Sequence, residues 1–135
     1  MATISKGYHK SNEFPNEAFI QQATEAYFTN QGFQIENGSY SDLKCFNAKN
    51  GQRWVIEAKG QTGAIGLDFR TGLGQLLQAM NDPSVCYGLA VPNTPNFTFQ
   101  CKRVSAWVCQ AIQLYWILVG ADGLVKIIAP NDVLP

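Results

Sequence analysis

The stretch RWVIEAKG, residues 53–60, sets a carboxylate and an ammonium two residues apart inside an apolar run. Trp54, Val55, Ile56 and Ala58 read as a buried strand, and Glu57 and Lys59 interrupt it at alternating positions. Residues two apart in a strand share a face, so the acid and the base stand side by side. Alternating charges on a strand are usually a solvated face with a minor ion pair. Here the apolar neighbours favour a strand covered on both faces instead. Asp42 precedes Glu57 with fourteen residues between them. A hairpin of that length returns the chain so that Asp42, Glu57 and Lys59 converge on one face. Two adjacent carboxylates repel, and a cation or a proton must resolve the conflict. Oxygen-only ligands suit Mg²⁺ or Mn²⁺, held by one or two carboxylates together with water and a substrate phosphate. A lysine beside such a site can orient or deprotonate an attacking water, or stabilise charge in a phosphorane-like transition state. That grouping is what hydrolysis of a phosphodiester needs.

The elements around these residues can be read from periodicity and turn chemistry. SNEFPNEAFIQQATEAYFTNQGF reads as a first helix, with Phe19, Ala23, Ala26 and Tyr27 on one face and Gly32 at its stop. FQIE, DLKCF and RWVIEAK follow as strands, and the Asn50-Gly51 pair between the last two predicts a hairpin. QTGAIG reads as a glycine-bearing loop, DFRTGLGQLLQAM as a second helix, and SVCYGLAVP as a buried strand. NTPNFTFQ reads as a loop and CKRVSAWVCQAI as a third helix. LYWILVG and LVKIIAP flank Ala121-Asp122-Gly123 as a second hairpin. The predicted order is α-β-β-β-α-β-α-β-β, an α/β fold with a mixed sheet flanked by helices on both faces.

The 135 residues suit one domain with a single core. Hydrophobic residues make up 46% and charged residues 15%, which excludes a disordered tail. The longest apolar run, AIQLYWILVGA, is interrupted by Gln113 and too short to span a bilayer, and MATISKGYHK lacks the apolar segment of a secretory signal. A cytoplasmic protein without a membrane partner is the expectation. Ten basic and ten acidic residues cancel, so any affinity for nucleic acid must rest on local charge. From Asp42 to Arg70, five basic residues accompany three acidic ones, a mild excess. Cys45, Cys86, Cys101 and Cys109 show no paired spacing, and the single histidine, His9, lies in a polar stretch. Reduced, mostly buried thiols are expected rather than a zinc site.

SDLKCFNAKNGQRWVIEAK resembles the PD-(D/E)xK motif of the restriction-endonuclease-like nuclease superfamily. Asp42 matches the motif's aspartate, Glu57 its second acid and Lys59 its lysine, while Ser41 stands where proline is usual. Holliday-junction resolvases and type IV restriction nuclease domains share this layout. They add an acid on the preceding helix and often a glutamine on the following one. GLGQLLQAM supplies Gln75 for the latter, and its helix also resembles that of small cyanobacterial excision-controlling factors. Glu17 is the chosen first-helix acid, with Glu25 second, although Gln21 and Gln22 fall where resolvases place theirs. The resemblance spans roughly residues 13–128 as an order of elements. It implies a restriction-endonuclease-like fold and Mg²⁺- or Mn²⁺-dependent cleavage of DNA. Asp42, Glu57 and the main-chain carbonyl of Ala58 would be the metal ligands, and Lys59, Gln75 and Glu17 would complete the catalytic set. A homodimer is a common arrangement among such nucleases.

Rival readings accompany each of these. Asp68 reads equally as a helix N-cap or a site residue, and Arg70 as a phosphate contact or a cover for apolar surface. Trp107, Tyr115 and Trp116 are expected in the core rather than as base-stacking platforms. PNTPNF is a candidate DNA-facing loop with no chemical mark of its own. At the level of the whole chain, a non-cleaving accessory or DNA-binding subunit with the same fold is the first alternative. A structural domain whose Glu57–Lys59 pair is a plain ion pair is the second.

Overall fold

The computed structural model describes residues 12–36 and 42–135, with Asp42 described through its backbone. His9 and Ser41 therefore lie outside the described residues. Within them, four helices and six strands follow the order α1 (Glu17–Asn30), β1 (Gln34–Glu36), β2 (Asp42–Phe46), β3 (Arg53–Ala58), α2 (Ile65–Ala79), β4 (Cys86–Pro92), α3 (Pro95–Lys102), α4 (Ala106–Ile112), β5 (Leu114–Val119) and β6 (Val125–Ile128). The strands form one mixed sheet in sequence order, with β3–β4 and β4–β5 parallel and the other neighbours antiparallel. This is the expected α/β architecture, a mixed sheet between helices. Among the described residues, no helix is long and apolar enough to cross a membrane.

The side-chain alternation of the strands divides the core between the two faces. Val55, Tyr87, Leu89, Val91, Leu114, Trp116 and Leu118 face the layer to which α2, α3 and α4 contribute Phe69, Leu76, Phe97, Cys101 and Cys109. Trp54, Ile56, Ala58, Ala90, Ile117 and Val119 face α1, which supplies Ile20 and Phe28. The two central parallel strands, β4 and β5, are apolar on both sides because both sides are covered.

Local sequence explains the ends of these elements. Helix α1 stops at Gly32, whose φ of +90° suits glycine. Phe33 N–H reaches Phe28 O at 3.0 Å and Gly32 N–H reaches Thr29 O at 3.1 Å, the paired bonds of a Schellman end. The Phe28 and Phe33 rings then meet edge-on with centroids 5.2 Å apart. The β2–β3 turn closes through Asn47 N–H to Gln52 O at 2.9 Å and Gly51 N–H to Asn47 O at 2.8 Å, with Gly51 at φ +75°. This turn sets the register of the whole hairpin, since a slip of one residue would turn every side chain to the other face.

Several expectations require correction. NTPNFTFQ is not a loop: Pro95 occupies the first turn of α3, where its missing N–H costs nothing, and Phe97 is fully buried. PNTPNF is accordingly a turn leading into that helix. CKRVSAWVCQAI is broken between Lys102 and Ala106, so the predicted third helix is the end of α3 followed by α4. The buried face of α1 runs through Ile20, Thr24 and Phe28; Ala23 and Tyr27 flank it, and Ala26 is exposed. Trp107 is 71% exposed, because the seven-residue α4 turns Cys109 rather than Trp107 inward. Trp116 is buried and Tyr115 packs against Trp54.

Candidate functional site

The hairpin register pairs Asp42 with Glu57, Leu43 with Ile56 and Lys44 with Val55. Directly opposite residues of an antiparallel pair belong to the same face of the sheet. Glu57 also lies opposite Leu89 of β4, and Leu89 opposite Trp116 of β5. Glu57 is thus in the second position of a row running Asp42, Glu57, Leu89, Trp116, Ile128 across the sheet. It is 2% exposed, beneath the layer that holds α2. Burial of a carboxylate to this degree is costly, because the charged form loses its hydration.

Lys59 extends the β3–β4 pairing by one residue, its N–H donating to Ala90 O at 2.9 Å. Its side chain runs under α2 at Gly72: a Cβ at Gly72 would sit 2.5 Å from Lys59 Cγ and 3.1 Å from Leu89 Cδ1. The ammonium then reaches the N-terminus of α1, where Nζ lies 3.8 Å from Glu17 Oε1. The lysine is largely covered and the glutamate about half exposed. Gly60 makes this approach possible, since a Cβ there would collide with the main-chain nitrogen of Glu17. Gln61 N–H adds a bond to Pro15 O at 2.9 Å. Glu17 and Lys59 therefore meet just beyond the carboxyl end of β3, whose penultimate residue is Glu57. In sheets with parallel strands, ligand sites form at that end.

The other residues singled out from the sequence are distributed as follows. Gln75 is exposed, on the turn of α2 after Gly72; residues three apart share a helix face. Glu25 lies away from this end and accepts a hydrogen bond from Gln21 Nε2 at 3.3 Å. Gln22 is exposed. Asp68 is not the N-cap of α2, a position held by Ala64. It sits one turn inside the helix, and its carboxylate accepts from Thr62 N–H at 2.8 Å and from the Thr62 hydroxyl at 2.7 Å. It fastens the loop that follows Lys59. Arg70 is exposed, with its guanidinium alongside Gly66. Gly60 and Gly72 were missed from the sequence; for Gly72, a glycine inside a helical pattern is the available sign of close packing.

The donor chemistry at the hairpin fits a hard divalent cation: carboxylates at the paired positions Asp42 and Glu57 and a main-chain carbonyl at Ala58. Among the described side chains, which do not include that of Asp42, no group of three His, Cys, Asp or Glu gathers to hold a metal. The thiols belong to a different chemistry. All four cysteines are free. Burial pushes Cys45 and Cys101 up to about 12, and raises Cys86 and Cys109 as well. At neutral pH they are protonated core side chains, not nucleophiles or thiolate ligands.

No protein-family model and no curated protein matches the chain. Solved structures do. The chain is similar to an XisH family protein from Nostoc punctiforme, with a TM-score of 0.57 and 15% identity over 79% of this chain and 95% of that one. It is also similar to an fdxN element excision controlling factor protein from Anabaena variabilis, with a TM-score of 0.56 and 16% identity over 81% and 96% of the two chains. At these identities the likeness is one of fold.

Proposed function

We propose that the carboxyl end of β3 is a metal-dependent phosphodiester hydrolysis site acting on DNA. The observation that carries this reading is the register of Asp42 against Glu57, with Lys59 two residues beyond and held against Glu17. Asp42, Glu57 and the Ala58 carbonyl would hold one or two Mg²⁺ or Mn²⁺ ions, which supply Lewis-acid polarisation of a phosphate. Lys59 orients the attacking water or neutralises charge gathering on the phosphate oxygens. Its covered position makes that electrostatic contribution larger than it would be in open solvent. Glu17 fixes the direction of the ammonium, and Gln75, on the exposed side of α2, contacts substrate or steadies Lys59. Arg70, exposed on the same helix, would meet a neighbouring phosphate.

The test is conversion of supercoiled plasmid to nicked circles in the presence of Mg²⁺ or Mn²⁺. Wild type nicks, and Lys59→Ala and Asp42→Ala abolish nicking while the unfolding midpoint holds. Equal nicking by all three proteins rejects the assignment.

A second reading is favoured by the likeness in fold to an fdxN element excision controlling factor protein. On that reading the chain is a non-cleaving DNA-binding or accessory subunit in a DNA-rearranging system, any hold on DNA resting on local charge because the net charge is zero. It predicts DNA retention in a gel-shift assay that is indifferent to divalent metal and to Asp42→Ala.

A further inference from the structure

Helix α2 carries two interior glycines, Gly72 and Gly74, and a glycine in a helix interior is a standing loss of stability relative to alanine. Their surroundings differ. A Cβ at Gly74 would meet nothing within 4 Å. A Cβ at Gly72 would sit 2.5 Å from Lys59 Cγ and 3.5 Å from Lys59 Cβ, with Leu89 Cδ1 at 3.1 Å closing the other side. The atoms in the way are the root of the lysine side chain, not its flexible tip. A side chain at position 72 therefore cannot be accommodated by moving the ammonium alone. The Lys59 stem, the helix or both must shift.

We infer that Gly72 is a positioning residue for Lys59: its missing Cβ is a notch through which the lysine stem passes from the α2 layer to the N-terminus of α1. Three observations meet there. The Lys59 main chain is fixed by its bond to Ala90 O, its stem lies against Gly72 where a Cβ would fall 2.5 Å from Cγ, and its Nζ ends 3.8 Å from Glu17. With both ends held, the one remaining freedom is the path of the methylene chain, and the notch sets that path. The consequence for DNA cleavage rests on the function proposed above; the notch itself does not.

A double-mutant cycle on the full chain separates the two. Gly72→Ala lowers the thermal unfolding midpoint while Lys59 is present. Combined with Lys59→Ala it loses most of that penalty, because the obstructing Cγ is gone. Gly74→Ala raises the midpoint to the same extent with or without Lys59. Should Gly72→Ala prevent folding by itself, the Gly72→Ala/Lys59→Ala protein still folds, and the coupling is read from that rescue. A penalty from Gly72→Ala that is identical in both backgrounds overturns the inference.

The position of the ammonium is read separately. After reductive methylation with ¹³C-formaldehyde, the Lys59 signal, identified by its loss in Lys59→Ala, changes its chemical shift in Gly72→Ala and keeps it in Gly74→Ala. An unmoved Lys59 signal in folded Gly72→Ala also overturns the inference. If wild type nicks DNA, the folded Gly72→Ala protein loses about 100-fold in rate with DNA affinity retained. If wild type does not nick, the stability cycle and the lysine signal decide the matter without reference to activity.

Discussion

One row of the sheet contains two contrasting regions. On its β4–β6 side, Leu89, Trp116 and Ile128 lie opposite one another and are buried to between 0% and 4% exposure. On its β2–β3 side, the same row continues as Glu57 and Asp42. Leu89 and Glu57 are adjacent in register and equally covered, yet one is a core aliphatic and the other a carboxylate. Folding alone favours the first: desolvating an ion costs several kcal/mol, and apolar side chains of similar volume often replace buried charges without loss of stability. The contrast shows where the sheet is built for packing and where it carries a group that packing does not need.

The contrast can be broken from either side. Trp116→Ala, on the packing side, should cost about 3–5 kcal/mol of unfolding free energy in urea titration. A loss below about 1 kcal/mol would mean that this half of the row does not hold the core together. Glu57→Leu, on the charged side, should abolish plasmid nicking while the protein stays folded, at a smaller cost in unfolding free energy than Trp116→Ala. A marked destabilisation would recast Glu57 as a structural acid and erase the distinction between the two halves.

Gly51→Val tests the turn that places Asp42 opposite Glu57. An L side chain at φ +75° costs about 1–2 kcal/mol, and a β-branched one is among the worst tolerated there. A neutral substitution would show that the register is set elsewhere. A further test lies in the pH dependence of stability. The folded chain holds the Cys45 proton up to about 12, against an ordinary value of 9.0. The contribution is therefore complete below about pH 9 and is lost as pH rises from there toward about 12. Cys45→Ala should flatten the fall in urea midpoint between about pH 8 and about pH 11 relative to wild type. An unchanged slope would contradict the burial-driven shift.

What was legible in the sequence was largely local. The Asn50-Gly51 turn, the Gly32 stop and the unbroken apolar runs of β4 and β5 are each decided by a few neighbouring residues. The pairing of Asp42 with Glu57 was legible because a hairpin converts their spacing directly into register. Features set by distant contacts were not legible. Pro95 reads as a loop residue until Phe97 is seen to need a helix to reach the core. Trp107 reads as core from its periodic apolar stretch, but the short α4 has room to bury only one side. The choice of Glu17 over Glu25 depends on where the start of α1 meets the end of β3, a meeting that Gly60 permits and no periodicity encodes. Gly72 and Gly74 look alike in GLGQ, and only the neighbouring Lys59 stem tells them apart.

The central claim is that the acids set opposite each other by the β2–β3 turn act as one hard-cation site. Calorimetric titration with Mn²⁺ tests it most directly. Wild type should give saturable heat, and Asp42→Asn and Glu57→Gln should each remove it while the proteins stay folded. Heat that persists unchanged in both variants, or no heat in the wild type, would contradict the claim.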